Sequence, residues 1–84
     1  MKRPGYDIQL DFPLPPEPMK SRFEAIAENW AECFNAVRLD INDEDGRLSF
    51  CWWFDDVEDW GELIKHMRAN GLEVTSAGPR QAVN

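Results

Sequence analysis

Apolar and polar residues alternate over residues 6–12: Ile8, Leu10 and Phe12 share one side, and Asp7, Gln9 and Asp11 share the other. A period of two marks a half-buried strand, so a first strand, β1, is expected over 6–12. Pro13, Pro15, Pro16 and Pro18 then remove backbone donors and make 13–18 a stiff, extended connector. The spacing changes to threes and fours at Phe23, Ile26, Ala27, Trp30, Ala31 and Phe34, which predicts a helix, α1, over 20–35. Ser21 and Glu24 have capping-box spacing at its start, and Asn35 suits its end.

Alternation returns at Val37, Leu39 and Ile41 (β2, 36–42), and again at Leu48, Phe50, Trp52 and Phe54 (β3, 47–54). The turn between them, Asp43-Glu44-Asp45-Gly46, ends on a residue that accepts positive φ. Asp55 and Asp56 both offer N-caps, Asp55 and Glu58 repeat the capping-box spacing with Asp in place of Ser or Thr, and helix α2 over 56–70 would bury Val57, Trp60, Leu63, Ile64 and Met67. Acidic Glu58 and Asp59 near its start, and Lys65, His66 and Arg68 near its end, suit the helix dipole. Asn70-Gly71 is a stop signal. Leu72, Val74 and Ser76 alternate with Glu73 and Thr75, which predicts a short β4 over 72–77 and a loose tail over 78–84.

The order β-α-β-β-α-β in one domain, 1–84, predicts an α+β fold of the ferredoxin-like class. Right-handed crossovers would build a four-stranded antiparallel sheet in the order 4-1-3-2 with both helices on one face. The other face is then open. It would carry Asp7, Gln9 and Asp11, Arg38, Asp40 and Asn42, Ser49, Cys51 and Trp53, and Glu73 and Thr75, a polar and mostly acidic surface around one large ring. Trp53 is a candidate protein-binding anchor, because tryptophans often dominate interface energies. A loop folded over the ring, or two open sheets paired as a homodimer, accounts for the same residue. Edge strand β2 is a second docking line, through its unpaired backbone groups. Two more acidic groups complete the candidate site: Asp43, Glu44 and Asp45 at the β2–β3 turn, and Asp55, Asp56, Glu58 and Asp59 at the start of α2. Trp30, Trp52 and Trp60 fall at core positions, and four such rings let a short chain fill a core.

Charge narrows the partners. Sixteen acidic against nine basic residues give −7. A sugar-phosphate backbone or an anionic membrane needs a basic face, so direct nucleic-acid and membrane binding are not expected. A protein with a basic surface, such as a nucleic-acid-binding protein, is the complementary partner; solubility alone also accounts for the acidity. Cys33 and Cys51 form no C-x-x-C pair, and two cysteines are few for a secreted domain of this size. No run is long enough to span a bilayer, and the basic residues within 1–7 precede no apolar stretch. A cytoplasmic protein with reduced thiols is expected.

No motif reaches the specificity of a catalytic or metal site. Asp40 to Gly46 looks like a calcium loop, but counting from Gly46 puts Ile41 at position 1 and Trp52 at position 12, and counting from Asp40 puts Asp45 where glycine is required. His66, the single histidine, reads as a solvated helix residue, and nothing pairs a base with either cysteine. Two Cys and one His have no zinc spacing, and no glycine-rich phosphate loop is present. Pro13-Leu14-Pro15-Pro16 matches P-x-x-P but lacks an adjacent Arg or Lys. An RNA-reading sheet needs several aromatics and positive charge, whereas one ring and carboxylates stand here. No cofactor is expected. The leading expectation is a small acidic non-enzymatic protein-binding module, an inhibitor or decoy of phage anti-defence, immunity or antitoxin type that occupies a basic or nucleic-acid-binding surface of its partner. The alternative is a ferredoxin-like small-molecule-sensing regulatory domain acting as a dimer. An enzyme built on paired carboxylates ranks third, because it needs a cleft that sequence does not show.

Overall fold

Two tryptophans tie the two helices to the sheet. The structure, a computed structural model, describes residues 5–79. Its elements run β1 (Tyr6–Pro13), α1 (Met19–Cys33), β2 (Arg38–Asn42), β3 (Arg47–Phe54), α2 (Val57–Ala69) and β4 (Ser76–Pro79). The four strands form one antiparallel sheet in the order β2-β3-β1-β4, the expected sequence of neighbours read from the opposite edge. Ile8, Leu10, Leu48, Phe50, Trp52 and Phe54 face inward from the central strands and are buried. They meet Ala27 of α1 and Leu63, Ile64 and Met67 of α2 in one core, so both helices lie on the same face. The Trp52 indole N–H donates to the Ala27 carbonyl (3.0 Å), and the Trp60 indole N–H donates to the Asp7 carbonyl (3.0 Å). Each ring thus buries apolar area and also satisfies its polar atom.

The helix ends differ from the expected caps. Helix α1 starts at Met19 behind Pro18, with no side-chain cap. Ser21 does not cap it; its amide (2.9 Å) and hydroxyl donate to Glu17, while Glu24 pairs with Lys20 (3.1 Å). The cap of α2 is Asp56, one of the two expected caps, and it accepts from the Glu58 amide (2.8 Å). Both helices close with the same arrangement. After α1, Asn35 takes φ 58°, its amide meets the Glu32 carbonyl (3.4 Å), and the Ala36 amide meets the Ala31 carbonyl (2.9 Å). After α2, Gly71 takes φ 77°, its amide meets the Arg68 carbonyl (3.0 Å), and the Leu72 amide meets the Met67 carbonyl (2.9 Å). These are Schellman closures, in which the residue after the left-handed one turns back on the helix.

That closure corrects the expected β4. Leu72 completes the end of α2 and is not the first residue of a strand, so the strand begins at Ser76 and runs through Gly78-Pro79. Thr75 precedes it and bonds to the Gln9 carbonyl through its amide (3.0 Å) and its hydroxyl (2.7 Å). Gly78 and Pro79 therefore belong to the sheet and not to a tail, and 80–84 lie outside the described residues. Strand β2 is also shorter than expected, starting at Arg38 because Ala36 is engaged in closing α1. The β2–β3 connection is a type I′ turn: Asp45 (φ 56°) and Gly46 (φ 70°) are both left-handed, and the Arg47 amide donates to the Glu44 carbonyl (3.1 Å).

Candidate functional site

The open face of the sheet is set by strand register. Across it, Asp7, Trp53 and Arg38 form one row; Gln9, Cys51 and Asp40 the next; Asp11, Ser49 and Asn42 a third. From β4 only Ser76 and Gly78 reach this face, in place of the expected Glu73 and Thr75. Trp53 is half-buried, with the Arg38 guanidinium 5.6 Å from its ring centre. Arg38 Nε also donates to Asp40 (2.9 Å), and Arg47 Nε to Asp11 (3.3 Å). The Ser49 hydroxyl donates to Asp11 as well, and this bond, ahead of the Arg47 contact, holds the Asp11 carboxyl below its ordinary value. Three carboxylates thus face two guanidiniums, and the sheet is close to neutral, a correction to the mostly acidic surface expected. The sequence pattern shows which residues share the face, but not that Arg38 and Arg47 bend back onto their neighbours.

The remaining carboxylates are split between opposite ends of β3. Eight extended residues separate the ends by roughly 26 Å. At one end lies the turn. Asp43 is tied to Lys20 (3.1 Å), which sits between it and Glu24, and Lys20 is raised above its ordinary value chiefly by the bond to Asp43 and then by that to Glu24. Glu44 and Asp45 are exposed there. At the other end lies the start of α2. Asp56 is occupied as the cap, and Asp59 accepts from the Asn35 side chain (3.2 Å). Asp55 and Glu58 are exposed beside them.

One part of this second end was not legible as a site. Val57, Glu58, Asp59, Gly61, Glu62 and Lys65 line a shallow groove on the outward side of α2. Val57 is half exposed, and Lys65 stands 3.7 Å from Glu62. Gly61 is the unusual member. A glycine inside a helix costs about 1 kcal/mol relative to alanine, yet a Cβ placed there would meet nothing within 4 Å. Nothing in the fold therefore requires its missing side chain. The 58–62 spacing of two glutamates around that glycine was the available signal.

His66 is half-buried and not a freely solvated helix residue. Its ring packs against Trp30 (5.2 Å) and Phe34 (5.3 Å), so it fills the contact between the two helices. Cys33 is exposed on α1, Cys51 lies on the sheet, and the two form no disulfide. Among the described residues no cluster of metal-ligating side chains occurs, and no helix is long and apolar enough to cross a membrane. Comparison with family models, curated proteins and solved structures finds no match to this chain.

Proposed function

We propose that this chain is a non-enzymatic protein-binding module that docks on a basic surface of a partner protein, of the kind that otherwise holds nucleic acid, and so acts as an inhibitor or decoy of phage anti-defence, immunity or antitoxin type. One observation carries the reading. All sixteen carboxylates lie within residues 5–79, against six basic residues there, a difference of −10, and Lys20, Arg38, Arg47 and Lys65 are already held in ion pairs. The folded body thus carries a large acidic excess, part of it exposed at the two ends of the sheet. The element order and strand neighbours support placing it in the ferredoxin-like class, and a cytoplasmic setting suits two cysteines that form no disulfide.

The outward side of α2 is the favoured docking face. Its Glu58 is exposed, Val57 supplies apolar contact, and Gly61 lets a partner approach the helix backbone closely. The test is a pull-down at low and high salt with three variants. Glu58→Lys with Glu62→Lys should abolish the salt-sensitive partner, whereas Glu44→Lys should leave it bound. Gly61→Ala should raise stability by about 1 kcal/mol and yet weaken binding, because the added methyl stands in the interface. A partner retained equally by all variants and at both salt concentrations contradicts the proposal.

A further inference from the structure

Helices α1 and α2 meet where Trp30 and Phe34 close on His66. Beside this contact, α1, the sheet and the segment just after α2 enclose a half-open cavity of about 210 Å³. Its floor is the sheet at Leu10 and Phe50, its α1 wall is Phe23, Ala27 and Trp30, and its far wall is Leu72. The Schellman closure of α2 holds Leu72 there by backbone hydrogen bonding to the last helical turn.

We propose that this cavity is a binding site for a small, uncharged, planar aromatic molecule of one or two fused rings. Size sets the upper limit: a cavity of about 150 Å³ lined by Leu, Ile and Phe accepts benzene, so this one admits a bicyclic ring. Chemistry sets the class. No charged side chain lines the cavity, which disfavours an ionic ligand. Phe12, Phe23, Phe50, Trp30 and Trp52 present ring edges and faces, the partners that another ring prefers. Asn70 is the one polar residue of the lining. Its Nδ2 donates to the His66 carbonyl (2.8 Å), which leaves the amide oxygen available to accept from a ligand N–H. Ile26, 45% exposed, stands at the mouth. The site lies away from the acidic groove of α2 and does not rest on the docking role.

The chain carries its own control for the test. Two tryptophans line the cavity, Trp30 and Trp52, and two do not, Trp53 and Trp60. Indole is titrated into the full chain labelled with nitrogen-15. The indole N–H signals of Trp30 and Trp52 should move and saturate with a Kd of about 1 mM or tighter, while those of Trp53 and Trp60 stay in place. Ile26→Tyr, which lays a ring across the mouth at an exposed position, should weaken binding about ten-fold or more. Indole-3-acetate should bind about ten-fold more weakly than indole, because no cation meets its carboxylate. Non-saturating shifts, movement of all four signals alike, undiminished binding by Ile26→Tyr, or equal binding of the charged analogue would each overturn the assignment.

Discussion

Trp52 and Trp53 are adjacent, and the pleat of β3 sends them to opposite fates. Trp52 is fully buried with its N–H satisfied by Ala27, whereas Trp53 lies half-exposed on the open sheet beneath Arg38. Removing a buried tryptophan costs about 3–5 kcal/mol, against a total stability of roughly 4–13 kcal/mol for a domain of this size. Trp52→Ala should therefore lower the midpoint of urea titrations monitored by circular dichroism steeply, and Trp53→Ala should lower it much less. Equal losses would mean that the open face is covered as fully as the core. This contrast was legible in the sequence, because Leu48, Phe50, Trp52 and Phe54 are the more apolar alternate set. The neutrality of the open face was not, since it depends on how two arginine side chains bend.

At the scale of elements, the helix ends decide most of what differs from the expected pattern. A left-handed residue after each helix lets the next residue turn back and bond to the last turn. Gly71→Ala tests this directly. Its Cβ would meet no other atom within 4 Å, so the cost is the left-handed backbone alone, about 1 kcal/mol. The urea midpoint should fall by that amount with an unchanged slope; no change would show that the closure of α2 contributes little. The same closure explains why Leu72 and Val74 imitate a strand. Their alternation reflects packing against the core after a helix end, which a period of two does not distinguish from pairing in a sheet. The proline connector behaves similarly: Glu17 within it accepts from the Ser21 amide and hydroxyl at the start of α1, in place of the expected Ser21–Glu24 capping box.

For the whole molecule, charge links stability to pH. The Asp11 carboxyl is held below its ordinary value of 3.8 by the Ser49 hydroxyl and then by Arg47, and the Glu17 carboxyl is held below 4.5 by the Ser21 hydroxyl and amide. Both groups bind a proton more weakly in the folded chain than in the unfolded one. Their contribution is complete above those ordinary values and is lost as pH falls through the lower folded ones. The urea midpoint should thus decline on acidification below about pH 4.5, and Asp11→Asn should flatten that decline. An acid limb as steep in the variant as in the parent would remove Asp11 from the account. Lys20 works in the opposite sense: its raised value means that its contribution is present below 10.5 and lost only at more alkaline pH.

The sequence by itself determined the order of elements, the inward face of β1 and β3, the turn at Asp45-Gly46 and the excess of carboxylates. Each of these is written in local periodicity or in composition, which neighbours along the chain are enough to express. Only the tertiary structure decided where charges meet and where space remains. It placed Lys20 against Asp43, Arg47 against Asp11 and His66 against Trp30, residues 23 to 36 positions apart in the chain. It also separated the acidic groups to opposite ends of the sheet and left a cavity between α1, the sheet and the segment after α2. Such features follow from the packing of whole elements, and packing depends on distances that no local pattern encodes.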